Sequence, residues 1–303
     1  MRQFNLNAAV ETFVVFDAIA GTVSVAAFLL AIACFVSGNF WFWIGAVLFT
    51  GSLLIVYGAF IAPHRIQVTT FKQSLVSNPI SWSRLVLISD IHAGSWQTKK
   101  TIAKIADQLS KLEPDILVFC GDFVICNSDD ISLTESIVKI KSVCGNYFVL
   151  GNHDYLDNPQ AICDQLTAWG CKDITNSSLT IRVHGTEIRL AGIDDVDFGT
   201  PRLLSKILND QAPHITLAHN PDAAMDMHQG QTDLLLCGHT HGGQIRLPII
   251  GSLFVPSHLG RRADQGLKKI NGIPTIISKG LGQVGIHVRF FCRPEIVVVE
   301  LGI

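Results

Sequence analysis

Between Asp17 and His64 the 303-residue chain contains no Asp, Glu, Lys or Arg. No other feature narrows its folding options as far, because a soluble domain rarely buries so long an uncharged stretch. Two apolar segments fill it, Phe13–Val36 (FVVFDAIAGTVSVAAFLLAIACFV) and Phe40–Ala62 (FWFWIGAVLFTGSLLIVYGAFIA). A membrane-spanning helix needs about 20 apolar residues, and each segment reaches that length. Ser37-Gly38-Asn39 joins them as an uncharged turn. Trp41, Trp43 and Tyr57 stand near segment ends, where amphipathic aromatics favour the headgroup layer. Asp17 reads as an interfacial residue, with the first span starting at Ala18, rather than as an intramembrane carboxylate. The expectation is a hairpin of two transmembrane helices, at about 13–36 and 40–62, occupying residues 1–62. A cleaved leader is the competing reading of the first segment. Against it stand the lack of a twin-arginine pair or a clear A-x-A site, and the presence of the second span.

The remaining residues, 63–303, carry 22 of the 23 Lys+Arg and 23 of the 25 Asp+Glu, as expected of one large globular domain. The formal net charge of −2 gives no reason to expect a nucleic-acid partner. Two spans place the N-terminus and the large domain on one side of the membrane. The flanks Arg2, His64, Arg65 and Lys72 are weakly basic, so the positive-inside rule puts that side in the cytoplasm, at an inner membrane. The eight cysteines form no C-x-x-C pair, and several lie in apolar runs. They are expected to be buried thiols, not a disulfide framework.

Short apolar runs rich in Val, Ile and Leu recur at Leu85–Ser89, Ile116–Cys120, Tyr147–Leu150, Glu187–Ala191, His214–Ala218, Asp233–Cys237, Pro274–Ser278 and Glu295–Leu301. Their length and composition predict strands buried in a sheet. Helical spacing appears at Ile102, Ile105, Ala106, Leu109 and Leu112, again at Ile162, Leu166 and Trp169, and more briefly at Leu203, Leu204, Ile207 and Leu208. The expected class is an α/β sandwich with layered sheets.

Polar clusters follow five of these strands immediately. They are Ser89-Asp90-Ile91-His92, Gly121-Asp122, Gly151-Asn152-His153-Asp154, Ala218-His219-Asn220 and Gly238-His239-Thr240-His241. Loops at strand C-termini of an α/β sheet converge on one crevice, so residues distant in the chain can meet there. Alternate side chains of an extended D-x-H or H-x-H segment point the same way and can share a metal. Carboxylate, amide and imidazole donors without a thiolate suit Mn²⁺, Fe or Zn²⁺. The donors exceed the needs of one ion, and a carboxylate can bridge two ions about 3.5–4 Å apart.

These five elements, in this order from Asp90 to His241, resemble the calcineurin-like metallophosphoesterases. LAHNPD (Leu217–Asp222), GHTHGGQIRLP (Gly238–Pro248), KGLG (Lys279–Gly282) and RPEI (Arg293–Ile296) look like the membrane-associated bacterial branch of that family. The resemblance implies a four-layer α/β/β/α sandwich after the two helices, and two divalent metal ions, Mn²⁺ foremost with Zn²⁺ or Fe as alternatives. It implies that Asp90, His92, Asp122 and His241 hold one ion and that Asp122, Asn152, His219 and His239 hold the other, with Asp122 between them. It makes His153 the residue that protonates the leaving-group oxygen or stabilises charge there. Asp154 either supports His153 or caps a turn.

The implied activity is metal-dependent hydrolysis of a phosphodiester or pyrophosphate in a lipid-linked substrate, for which UDP-2,3-diacylglucosamine of the lipid A pathway is the candidate. A soluble lineage that cleaves this compound has arginine where this chain has His153. The alternatives are a broad phosphodiesterase or phosphatase on soluble substrates, and a silent metal-binding membrane scaffold. Arg246, Arg261, Arg262, Lys268 and Lys269 read either as a basic rim or as solvated charges. Asp194 and Asp195 read as pocket neighbours or turn caps.

Overall fold

The computed structural model describes residues 41–94, 99–202 and 212–303, together with Thr22, Val25, Ala26, Leu29 and Ile32. Helix α1 (Trp41–Val56) continues through a π-helical turn at Tyr57–Ile61 and a 3₁₀ turn at Ala62–His64. Pro63 has no N–H to continue the α ladder, and the helix ends one residue later in that turn. Trp43–His64 is the one helix among the described residues long and apolar enough to cross a membrane, with a mean hydropathy of 2.1 over its best window. Its 22 residues span about 33 Å, against a hydrocarbon core of about 30 Å. Of the first expected span, the five described positions are helical and exposed; the rest lies outside the described residues.

Two six-stranded sheets follow. The first has the order β1 (Gln67–Ser74), β14 (Glu295–Gly302), β2 (Trp82–Ile88), β3 (Ile116–Cys120), β4 (Asn146–Val149), β5 (Cys171–Asp173). The second has the order β12 (Gly266–Ile270), β13 (Ile273–Ile277), β9 (Leu234–Cys237), β8 (His214–Leu217), β7 (Thr186–Gly192), β6 (Ser178–Val183). A short hairpin, β10 (Arg246–Leu247) and β11 (Gly251–Ser252), stands apart from both.

Period-two alternation sorts the side chains of the first sheet. Leu85, Leu87, Ile116, Val118 and Val149 pack in one core with Ile188, Leu190, Ile215, Leu217 and Leu236 of the second sheet. Their neighbours Val86, Ile88, Leu117, Phe119 and Phe148 face Ile105 and Leu109 of α2 (Lys99–Ser110) and Ile162 and Leu166 of α4 (Pro159–Ala168). A single turn, α3 (Glu135–Val138), adds Ile137 and Val138 to that layer. The outer face of the second sheet is covered, among the described residues, by Ala223, Ala224 and Met227 near a 3₁₀ turn and by Ala263. The helix expected at 203–208 lies outside the described residues.

All eight expected strands form. The edge strands β1, β6 and β12 escape a search for apolar runs, because polar residues interrupt each of them and they are only partly buried. The seven described cysteines are free thiols, and Cys34 lies outside the described residues.

Register places the ends of the sheet. Gln67 at the start of β1 pairs with Glu295, and β14 runs antiparallel to β2 with Val297 opposite Leu87. The C-terminal end of β2 therefore lies at the same end of the sheet as the apolar helix.

Candidate metal centre

The five polar clusters leave the C-terminal ends of β2, β3 and β4, which run parallel to one another in the first sheet, and of β8 and β9, which run parallel in the second. Packing the two sheets face to face brings these ends together. His241 Nε2 lies 3.4 Å from Asp90 Oδ1 and 3.1 Å from His92 Nε2, which in turn is 3.5 Å from Asp122 Oδ2. On the other side of Asp122, His219 Nε2 is 3.2 Å from the same Oδ2 and 3.0 Å from Asn152 Oδ1. His239 Nδ1 completes this second group, 3.0 Å from Asn152 Oδ1 and 3.1 Å from His219 Nε2. The structure thus brings all seven expected donors into two adjoining nests that share one carboxylate. Asp90–His92–His241 and Asp122–His219–His239 each have their ligand atoms close enough to hold an ion.

The donor chemistry fits divalent cations. Imidazole nitrogens facing each other at 3.1 Å cannot both donate a proton, and a cation between them gives both lone pairs a partner. His219 Nδ1 lies 2.7 Å from the Cys120 carbonyl. A proton donated there leaves the Nε2 lone pair facing the nest, the usual orientation of a metal-binding histidine. Burial pushes His92 down to about 3 and His239 to about 4, and holds His241 well below the ordinary imidazole value. These rings stay neutral at neutral pH and keep their lone pairs. Burial would raise Asp122, but His219, His153 and His92 together hold it well below the usual carboxylate range. His219 moves the opposite way: burial lowers it, and Asp122 outweighs that and raises it well above 6.5. Burial lifts Asp90 to about 6.

The backbone here is unusual. Asp90, His92, Asp122, His239 and His241 all have left-handed φ, between 49° and 68°. Such conformations cost a non-glycine residue roughly 1–3 kcal/mol each and persist only where surroundings dictate them. Gly151 supplies room for them: a Cβ there would collide with Asp122 and lie 2.7 Å from His219 Nδ1.

His153 and Asp154 take different places. His153 Nδ1 lies 2.6 Å from the Ile125 carbonyl, and the ring stands edge-on to His92 with centroids 4.7 Å apart. The His153 N–H donates to Asp122 Oδ1 at 2.8 Å. Asp154 is fully buried and does not touch the nests with its carboxylate. It accepts from the backbone N–H groups of Asp122, Phe123, Val124 and Gly151. It therefore clamps the loop after β3 to the loop after β4. Burial, reinforced by Asp122, raises it to about 7.

Asp194 accepts from the Tyr155 hydroxyl and from Thr200 N, and Asp195 accepts from Asp197 N and Phe198 N, so both organise the 194–200 turn. Arg246 and Lys268 are paired with Asp264 at 2.8 and 2.9 Å, while Arg261, Arg262 and Lys269 are exposed. Sequence reasoning missed Arg289. Its guanidinium is fully buried, donates to the carbonyls of Lys279, Gly280, Gly282 and Cys292, and reaches His241 Nδ1 at 3.4 Å. The R-x-x-x-R-P-E-I run it opens held a signal: an arginine just upstream of the RPEI motif already singled out.

Comparison with known proteins agrees with this geometry. The family model described as calcineurin-like phosphoesterase matches residues 83–243. The chain is 31% identical over 255 residues to the uncharacterized metallophosphoesterase YkuE of Bacillus subtilis, covering 81% of this chain and 88% of that protein. It is 28% identical over 225 residues to the phosphodiesterase YaeI of Escherichia coli, covering 72% of this chain and 82% of the relative. A transmembrane protein with metallophosphoesterase domain from Danio rerio is 32% identical over 285 residues, 88% of this chain and 64% of its own length. The chain thus spans just under two thirds of that vertebrate relative.

Proposed function

Because the chain belongs to the calcineurin-like phosphoesterase family and is a metal-dependent phosphoester hydrolase, we propose that it is a membrane-anchored phosphodiesterase acting on lipid-linked substrates. The observation that carries the hydrolase part of this reading is the sharing of Asp122 Oδ2 between the two donor nests, and the Trp43–His64 helix of membrane-spanning length supports the membrane part. In this reading Asp90, His92, Asp122 and His241 hold one ion, and Asp122, Asn152, His219 and His239 hold the second. Divalent ions, Mn²⁺ foremost, supply there a lowered water pKa and neutralisation of phosphoryl oxygens. Asn152 contributes a neutral oxygen, which limits the negative charge facing an anionic substrate. His153 is held through Nδ1, leaving Nε2 to give a proton to the leaving-group oxygen. Asp154 positions Asp122 and Asn152 through the backbone and touches no reacting atom.

The chain divides at residue 62 in this proposal, with residues 1–62 a hairpin of two spans and 63–303 the catalytic domain facing the cytoplasm at an inner membrane. A four-layer α/β/β/α sandwich accompanies it. Tethering keeps the site near lipid-borne headgroups and raises their effective concentration. UDP-2,3-diacylglucosamine is the specific candidate.

The test uses detergent-purified full chain with Mn²⁺ or chelator. Metal-dependent cleavage of bis-p-nitrophenyl phosphate, and release of UMP from UDP-2,3-diacylglucosamine, are expected. Diester cleavage without UMP release would discard that substrate. No turnover by folded, metal-loaded protein of either compound would favour the silent scaffold. His153→Ala should lose about 10²-fold or more on an alkyl leaving group and less on p-nitrophenolate, which departs without a proton.

A further inference from the structure

The end of the sheet that carries the metal centre also carries an apolar ledge. Gly58 at the end of the long helix accepts a backbone hydrogen bond from Arg289, and a Cβ at Gly58 would lie 2.9 Å from Val288. Phe290 next pairs with the strand leaving the metal loop, through Phe290 N to Gln244 O and Arg246 N to Phe290 O, both 2.9 Å. That strand runs into the β10–β11 hairpin, and Leu253 N closes back on Ile245 O at 3.1 Å. Helix, 288–291 segment and hairpin thus form one continuous backbone-bonded surface. Its large apolar side chains point outward: Ile249, Ile250, Leu253, Phe254, Ile286 and Phe291 are all exposed, Phe254 by 72%. A cavity of about 340 Å³ lies in the same surface, lined in part by Leu54 and Tyr57 of the helix and by Phe291 and Arg293 of the ledge.

We propose that this ledge is a second membrane contact, which lies in the headgroup layer of an anionic bilayer and rests the metal centre's end of the domain on the lipid. The inference depends on the reading of the Trp43–His64 helix as membrane-embedded. Three observations select lipid as the occupant. The surface continues a helix of membrane-spanning length without a break. Apolar tips beside cations are what interfacial binding uses, and exposed Arg293 lines the same cavity as Phe291 of this ledge. The chain's own remaining apolar segment has no acid between Asp17 and His64 with which to pair that arginine. Anionic headgroups supply that charge.

The experiment is fluorescence quenching by brominated lipid. Full-length Phe254→Trp and Ile249→Trp are reconstituted with dibrominated phosphatidylcholine containing one third phosphatidylglycerol, and each is read as a difference from the unsubstituted chain. Two positions guard against one variant failing to fold. Ile80→Trp is the control, since Ile80 is 89% exposed and lies beside Ile303 at the far end of β14, roughly 23 Å from the helix end at 3.3 Å per residue. Strong quenching at 254 and 249, with none at 80, is expected. The premise is tested through Trp43, which is exposed on the helix, as the quenching that Trp43→Phe removes from the five-tryptophan chain. Quenching of Trp43 without quenching at 254 or 249 overturns the ledge while leaving the helix in the membrane. Absence of quenching at all positions overturns both. Equal quenching at 254 and 80 also overturns it, as does protection of the ledge by a second copy of the chain, seen as a crosslinked dimer.

Discussion

The two sheets bring different chemistry to the same centre. Loops of the first supply Asp90, Asp122 and Asn152, with His92 as the one imidazole in the nests. Loops of the second supply imidazoles alone, His219, His239 and His241. The carboxylates are also fixed differently. Asp122 accepts from the His153 N–H and Asp90 from the His239 N–H, so each is held by a backbone from across a loop or a sheet. The histidines of the second sheet lean on carbonyls and on Arg289. Neither sheet completes a nest by itself. Every carboxylate comes from one side and only imidazoles from the other, and the centre exists only while the sheets are packed together.

The sharpest way to break this division is at its shared member. Asp122→Ala removes a donor from both nests and the acceptor of the His153 N–H. Diesterase activity should fall at least about 10³-fold, the upper end of what a single electrostatic stabiliser supplies. Metal analysis should show the loss of more than one equivalent, and added Mn²⁺ should not restore activity. A variant from the imidazole side should behave otherwise. His239→Ala leaves the Asp90–His92–His241 nest whole, so about 10²-fold loss is expected, with partial recovery as Mn²⁺ is raised. Equal refusal of rescue by both variants would erase the distinction between the sheets.

Asp154→Asn probes the clamp without touching a donor. Replacing a carboxylate that accepts four backbone N–H groups should cost about 10–100-fold in metal affinity or activity, as for outer partners of metal ligands. Metal titration by calorimetry would read the affinity directly. The smallest effect belongs to the ion-paired support of the second sheet's loops. Burial pushes Asp264 up, but hydrogen bonds from Arg246 and Lys268 outweigh it, so its carboxyl lies below the ordinary value. A carboxyl depressed in the folded state stabilises above its unfolded pKa of about 3.9, and that contribution is lost as pH falls through the lower folded value. Asp264→Asn should therefore lower Tm by roughly 2–4 °C at pH 7. The gap between variant and wild type should close as the pH drops below 4.

Much of the architecture was legible in the chain because it depends on near neighbours. Runs such as Leu85–Ser89 and Leu234–Cys237 are apolar over strand length, and the donors follow them directly. The edge strand β1 was illegible, since QVTTFKQS is half buried and looks like a polar segment. The role of Asp154 was open between supporting His153 and capping a turn. Its four backbone donors come from two loops about 30 residues apart in the chain, and no local pattern encodes that. Arg289 escaped for the same reason: its carbonyl partners lie 3–10 residues away, but its imidazole partner lies 48 residues away.

By itself the sequence determined the uncharged apolar front, the α/β order of elements, and the donors placed after strands β2, β3, β4, β8 and β9. Those features follow from hydropathy and periodicity, which act over a few residues. Tertiary structure alone decided that Asp122 serves both nests, that five donor residues adopt left-handed backbone, and that an apolar ledge joins the helix to the metal centre. Each of these rests on contacts between the two sheets or between the helix and the last third of the chain. Such contacts form only when distant segments pack, and packing can hold a strained backbone or an exposed apolar tip that local preference would not choose.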